Sequence, residues 1–157
     1  MPTDNLHYQK QQKYQENEIL EHAAEILANR YVRGDALCNP DATKEYVRFK
    51  LASAEHEVFA LLLLDSQHRV IEFKPLFKGT IDSASIYPRE IVKTVLESNA
   101  AAVILAHNHP SGDPSPSQAD KRITRKLVDT LALVDVRVLD HIVVGESCVS
   151  FAEKGWL

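Results

Sequence analysis

Two histidines and an aspartate in the second half of this 157-residue chain have types and a spacing that suit a metal ion. His107 and His109 are separated by one residue, and Asp120 follows after a short loop. On an extended backbone alternate side chains project to the same side, so the two imidazoles can converge on one ion. Two histidines, one aspartate and a water are typical of catalytic zinc, because a closed site of four protein ligands leaves no position for a substrate. We therefore expect one Zn²⁺ ion bound by these three residues.

The surrounding residues make this interpretation more specific than the histidine pair alone. A His-x-His pair by itself is equally consistent with polar residues at the end of a strand. Here Ser117 can cap the helix that carries Asp120, and a loop rich in proline and glycine connects that helix to the histidines. Other metal motifs fail on spacing, since the second histidine of a His-Glu-x-x-His motif starting at His56 would fall on Ala60. Neither of the two cysteines lies in the Pro-Cys-x-x-Cys segment of zinc deaminases.

Three consecutive elements must position these side chains. Residues 101–106 are apolar throughout, which predicts a strand that is covered on both faces and ends at His107. Residues 110–116 contain three prolines and a glycine and predict a loop. A helix is predicted from Ser117 to about residue 133, with an apolar stripe that faces inward.

The remaining elements are interleaved helices and strands. We predict helices over residues 18–31, 41–51 (capped by Asp41) and 88–99, a β-hairpin over 57–64 and 70–76, and closing strands over 136–139 and 142–144. Such interleaving predicts an α/β fold with a layered mixed β-sheet and helices on both sides. We expect a flexible tail over residues 1–16, a helical segment over 17–53 packed on the domain, and the domain itself over 54–157.

Composition narrows the cellular setting and the classes of partner. The formal net charge is -4, so there is no overall basic footprint for nucleic acid. A local basic cluster is formed by Lys121, Arg122, Arg125 and Lys126. Such clusters are more often solvated helix faces than binding sites. The two cysteines form no Cys-x-x-Cys pair, and the sequence shows no membrane span or secretory leader. We expect a soluble cytoplasmic protein in a reducing compartment, without a membrane partner.

The motif around the histidines resembles that of the JAMM (MPN-type) zinc metallopeptidases. The pattern His-x-His-Pro, six residues, Ser-x-x-Asp matches residues 107–120 at every fixed position. Further segments resemble the bacterial RadC proteins: 77–80, 88–90, 100–103, 107–112 and 139–141. The likeness runs from about Ala54 to the C-terminus, and it implies a JAMM/MPN fold of the cytidine-deaminase-like type. It also implies a short form, because the first fifty residues lack the helix-hairpin-helix-type segment of longer RadC proteins.

The resemblance assigns roles to residues outside the metal ligands. The JAMM glutamate lies at the start of an early strand, where both Glu55 and Glu57 qualify. Glu57 is the better match because it directly opens the apolar strand, and it would act as the general base. Ser117 would donate to the oxyanion, or would serve only as the helix cap. The pair Asp140 and His141 would orient a ligand, or would simply be buried or lie in a turn.

Three functions follow from these residues. The first is a zinc-dependent hydrolase, a metallopeptidase or isopeptidase acting on a peptide or isopeptide substrate that the sequence does not identify. The second is a DNA-repair-associated or nucleic-acid-binding protein, suggested by the RadC resemblance and the basic cluster. The third is a scaffold that has kept the ligands without turnover. The sequence leaves the oligomeric state open.

Overall fold

The computed structural model of the chain describes residues 2–32, 39–79 and 86–157. Within these residues there are four helices and five strands. In chain order they are α1 (Pro2–Val32), α2 (Pro40–Leu51), β1 (Val58–Leu64), β2 (Val70–Lys78), α3 (Pro88–Glu97), β3 (Ala102–Asn108), α4 (Gln118–Ala132), β4 (Arg137–Val144) and β5 (Cys148–Ser150). None of the helices in this part of the chain is long and apolar enough to cross a membrane.

The strands form one mixed sheet in the order β2-β1-β3-β4-β5. Strands β3 and β4 pair in parallel, whereas the other neighbours pair antiparallel. The chain passes from β3 to β4 through α4, because a parallel pair needs a crossover connection. This crossover brings the C-terminal end of β3 and the first turn of α4 to the same edge of the sheet, where the predicted ligands lie.

Strands β1 and β3 lie at the centre of the sheet, and all fourteen of their residues are buried. Alternate side chains enter two cores on opposite faces. Ala60 and Leu62 share one core with Val47 of α2, while Leu61 and Phe59 share the other with side chains of α3 and α4. The predicted α/β fold, with a layered mixed sheet and helices on both sides, is therefore confirmed.

Two short closing strands, 136–139 and 142–144, were predicted, but the structure has one continuous strand, β4, in their place. It runs without interruption from Arg137 to Val144, so Asp140 and His141 lie inside a strand rather than in a turn. Both are buried, and both find hydrogen-bond partners in the protein. Polar residues do not break a strand when their side chains are satisfied in this way.

Helix α1 also differs from the sequence expectation, because it begins at Pro2 rather than near residue 18. Residues 3–32 contain no glycine or proline. Their many glutamines, lysines and glutamates have high helix propensity, so this segment can be helical even where it has no apolar stripe. Only the later part reaches the core, where Ala24 is fully buried and Glu21 accepts a 3.0 Å hydrogen bond from Lys50. The flexibility of residues 1–16 and the division of the chain into domains stay predictions.

The cap of α2 is Asn39 rather than the predicted Asp41. The Asn39 side chain accepts a 3.0 Å hydrogen bond from the Asp41 amide, and Pro40 occupies the first helical position. Proline suits that position because the amide it lacks has no partner within the helix.

Candidate metal centre

The end of β3 places the two histidines on the same side of the chain. His107 and Asn108 are the last residues of the strand, and the His109 amide donates a 2.7 Å hydrogen bond to the Val144 carbonyl of β4. This bond keeps the backbone extended one residue beyond the strand, so alternate side chains still share a face. The His107 side chain is 1% exposed and that of His109 is 15% exposed, so the pair opens to solvent on the His109 side.

The loop after His109 is fixed against the turn between β4 and β5. Gly112 has φ +91, a conformation that favours glycine, and its carbonyl accepts a 2.7 Å hydrogen bond from the Glu146 amide. Gly145 approaches the same carbonyl so closely that an added Cβ would lie 2.3 Å from the oxygen. The glycines therefore allow the two backbones to pack together and return the chain to the sheet edge.

Asp120 enters the site from the first turn of α4, where a reciprocal cap orients its carboxylate. The Ser117 hydroxyl oxygen accepts a 3.0 Å hydrogen bond from the Asp120 amide. In return, the Ser117 amide donates a 2.7 Å hydrogen bond to Asp120 Oδ2. This is a capping box with aspartate in the third position. The predicted capping by Ser117 is present, and it also holds the carboxylate.

The three side chains converge on one point. His107 Nε2 lies 2.9 Å from His109 Nε2 and 3.3 Å from Asp120 Oδ1, and His109 Nε2 lies 3.4 Å from Asp120 Oδ2. A tetrahedral ion with bonds of about 2.0–2.1 Å separates its ligand atoms by about 3.3 Å. The observed edges are close to that value. This His-His-Asp group could bind a metal ion.

Hydrogen bonds behind His107 decide which of its nitrogens faces the site. Thr124 Oγ1 lies 2.6 Å from the Asp120 carbonyl oxygen, which only accepts, so the hydroxyl proton is donated there. The Thr124 oxygen must then accept from His141 Nδ1 at 2.5 Å. A neutral His141 protonated at Nδ1 accepts from His107 Nδ1 at 2.8 Å, which leaves a lone pair on His107 Nε2. The chain of bonds thus presents this nitrogen to a metal.

The hydrogen bond of His109 has the same effect. Its Nδ1 lies 2.8 Å from the Asp113 carbonyl oxygen and must donate to it, so in the neutral ring His109 Nε2 also carries a lone pair. Two lone pairs that face each other beside a carboxylate repel, and a cation between them removes the repulsion. The donor set is therefore arranged for a cation.

The pKa directions describe the same contacts when protons, rather than a cation, neutralise the site. Burial alone would raise the pKa of Asp120, but hydrogen bonds with His107 and His109 and the His107 charge hold it well below its usual range. The hydrogen bond with Asp120 raises the pKa of His109 despite burial. Complete burial, together with the nearby His107 charge, lowers the pKa of His141 well below its usual value. His141 is therefore neutral, as its role as an acceptor requires.

Glu57 lies directly before β1, next to the site. Strands β1 and β3 pair antiparallel, and their last pair is Phe59 opposite His107, so Glu57 leads into β1 at the end of the sheet where the histidines lie. Glu57 is half-buried, and its negative charge contributes to the raised pKa of His109. Glu55, by contrast, is exposed and forms an ion pair with Lys13 of α1. Of the two glutamates, Glu57 is therefore the one whose charge acts on a candidate ligand.

Asn108, between the two histidines, fixes the backbone on both sides of Glu57. Its Oδ1 accepts a 2.7 Å hydrogen bond from the Val58 amide, and its Nδ2 donates a 3.0 Å hydrogen bond to the His56 carbonyl. The Asn108 side chain is buried, so water competes little for these bonds. One residue of the His-Asn-His triplet therefore connects the strand that carries the histidines to the segment that carries the glutamate.

Asp140 serves the site indirectly. Its carboxylate does not contact the His141 ring but accepts hydrogen bonds from the His141 amide at 2.7 Å, the Ala152 amide at 2.9 Å and the Ser150 hydroxyl. These bonds fix the segment that carries Phe151, whose ring stacks on His141 with centroids 4.7 Å apart. Of the two alternatives for this pair, His141 therefore orients a candidate ligand, and Asp140 orders the backbone around it.

Sequence reasoning missed two residues of the site. Thr124 follows Asp120 by four positions and therefore lies on the same helix face, a signal that was available but weak. Asn108 lies inside the motif, but its partners are about fifty residues away and no spacing indicates them.

Comparison with known proteins places this site in a family. The model of the RadC-like JAB domain matches residues 37–156, which includes α2 as well as the sheet. A UPF0758 protein of Vibrio cholerae serotype O1 is 81% identical over 150 residues, covering 96% of each chain, and a second from the same organism is 64% identical over 96% of this chain and 95% of its own. A UPF0758 protein of Shewanella baltica is longer: its 59% identity covers 86% of this chain and 60% of that protein. These names state no activity.

Proposed function

This chain belongs to the RadC-like JAB domain family, and we propose that it is a zinc-dependent hydrolase, a metallopeptidase or isopeptidase. The observation that carries the proposal is the convergence of His107 Nε2, His109 Nε2 and the Asp120 carboxylate, while the Nδ1 of each ring is hydrogen-bonded away from the site. A purely structural histidine cluster would not need both nitrogens unprotonated and facing each other.

Zinc is the metal that suits this donor set. Two imidazole nitrogens and one carboxylate are typical of catalytic zinc, whereas calcium and magnesium prefer oxygen ligands. Three protein ligands leave a fourth position, and the partial exposure of His109 marks the side from which a substrate can approach. When bound, the ion supplies an acidified water and an electrophile for the scissile carbonyl.

Glu57 is the proposed general base. Its charge acts on His109, the more exposed of the two histidines, and its carboxylate would accept a proton from the attacking water and return it to the leaving amine. Asn108 is a positioning residue for this step, because its two hydrogen bonds fix the backbone around Glu57.

Ser117 is the proposed donor to the carbonyl oxygen of the substrate. Its oxygen already accepts from the Asp120 amide, which leaves the hydroxyl proton available for donation. Capping and donation therefore do not compete, and the capping bond holds the hydroxyl near the ligand carboxylate.

The two glutamates before β1 provide a matched test. We expect Glu57→Gln to keep zinc affinity within a fewfold of the original but to lower hydrolysis of a quenched fluorogenic peptide library by about a hundredfold or more, as expected for loss of a general base. Glu55→Gln, whose side chain is exposed and paired with Lys13, should retain activity. Full activity in Glu57→Gln, or equal losses in both variants, would contradict the assignment of the base.

A further inference from the structure

A groove lies beside the metal centre, between α4 and the segment that follows β5. Its volume is about 580 Å³, within the range of about 300–1,000 Å³ that binding sites commonly have. One wall is formed by the exposed side of the first two turns of α4, and the other by aromatic residues near the C-terminus. The residues that matter here are Gln118, Lys121, Arg122, Arg125, Phe151 and Trp156.

The groove is strongly cationic although the chain as a whole carries a formal net charge of -4. Lys121, Arg122 and Arg125 all line it, and within residues 2–32, 39–79 and 86–157 no acidic side chain forms a salt bridge with any of them. Lys121 instead lies over the Trp156 ring, with Nζ 4.1 Å from the ring centroid. Unpaired cations grouped in a concave site favour an anionic ligand, and guanidinium groups are well suited to carboxylates.

The groove and the metal centre are connected by packed side chains. The ring of Phe151, which lines it, stacks on His141 at 4.7 Å, and the ring of His141 lies 4.8 Å from that of His107. Gln118 follows Ser117 directly at the start of α4. The first turn of α4 therefore contributes both to the groove and to the candidate metal site.

We propose that this groove binds an acidic segment of the peptide substrate, away from the bond that is cleaved. The inference rests on the proposed hydrolase function and names the class of its substrate. Carboxylates would pair with Arg122 and Arg125, and the aliphatic parts of the segment would contact Trp156. A single-stranded nucleic acid fits less well, because such ligands stack their bases on free aromatic faces, whereas Lys121 and Phe151 both pack against Trp156.

Trp156 is the only tryptophan of the chain, so its emission reports on the groove directly. The probes are a peptide of about ten residues with four glutamates, the same peptide with glutamines in their place, and an oligothymidine of similar length. We expect the acidic peptide to change the emission of Trp156 and to bind at least about tenfold more tightly than its glutamine counterpart. Binding should weaken severalfold as the ionic strength rises from about 0.05 to 0.3 M, because exposed charge pairs are screened.

The variants separate the groove from the metal centre. Arg122→Gln/Arg125→Gln should weaken binding of the acidic peptide about tenfold or more, whereas Lys126→Gln, on the same helix but outside the groove, should not. His109→Ala should bind the peptide as the unmodified protein does, even without a metal site. If the acidic peptide binds in this way but is never hydrolysed, the result supports the anionic binding site and counts against the hydrolase proposal. Equal binding of both peptides, an unaffected double variant, or binding of the oligonucleotide alone would overturn the inference.

Discussion

Two buried aspartates, Asp120 and Asp140, lie in neighbouring networks but are satisfied in opposite ways. Asp140 accepts hydrogen bonds from two amides and one hydroxyl, so both of its oxygens have donors. Asp120 accepts from the Ser117 amide, but its other close neighbours are the Nε2 atoms of His107 and His109, whose protons lie on the opposite sides of their rings. The Asp140 network is complete within the protein and therefore serves the fold. The Asp120 network ends at the nitrogen lone pairs of two neutral histidines and is complete only when a cation binds there.

The comparison is tested most strongly by the same conservative change at both aspartates. We expect Asp120→Asn to lower zinc affinity by about a thousandfold, equivalent to about 4 kcal/mol, because an amide is a poor ligand for zinc. Its stability should change little, since the amide oxygen can still accept from Ser117. Asp140→Asn should keep zinc affinity, because its amide oxygen can still accept from both backbone amides and its NH2 group can donate to the Ser150 hydroxyl. Zinc titration measures the affinity of each variant, and urea unfolding measures its stability. Equal zinc affinities in the two variants would contradict the different roles assigned to Asp120 and Asp140.

Truncation of Asp140 should reveal the structural network. We expect Asp140→Ala to lower the free energy of unfolding by about 3 kcal/mol, since two amides and a hydroxyl lose a buried acceptor. Urea unfolding measures this loss, and zinc binding of the folded fraction should weaken far less than in Asp120→Asn. A stability unchanged from that of Asp140→Asn would show that these bonds contribute nothing.

A smaller effect is expected where the two networks meet, at Thr124. We expect Thr124→Val to weaken zinc binding about tenfold, because His141 loses its acceptor and holds His107 less firmly. Thr130→Val is the matched control, since Thr130 makes the same bond to a carbonyl four residues earlier on α4 but lies far from the ligands in sequence. Competition titration with a zinc indicator compares them. Similar affinities in both variants would mean that His141 does not orient His107.

The sequence predicted the His-His-Asp group and the elements that carry it, because these three residues lie within fourteen consecutive positions that also contain strand, loop and helix signals. It predicted less well what depends on distant partners. His141 reaches His107 only because β4 pairs with β3, and Asn108 reaches Val58 and His56 only because β1 pairs with β3. The start of α1 was missed for another reason, since helical periodicity detects the buried side of a helix and α1 is largely exposed.

The most direct test of the metal centre is the zinc stoichiometry of the chelator-stripped protein, measured by titration and checked by cobalt absorption. The arrangement of His107, His109 and Asp120 predicts one ion per chain and the intense visible bands of four-coordinate cobalt. The Asp120→Asn variant should show neither under the same conditions. Failure of the unmodified protein to bind zinc more tightly than this variant would contradict the proposed centre.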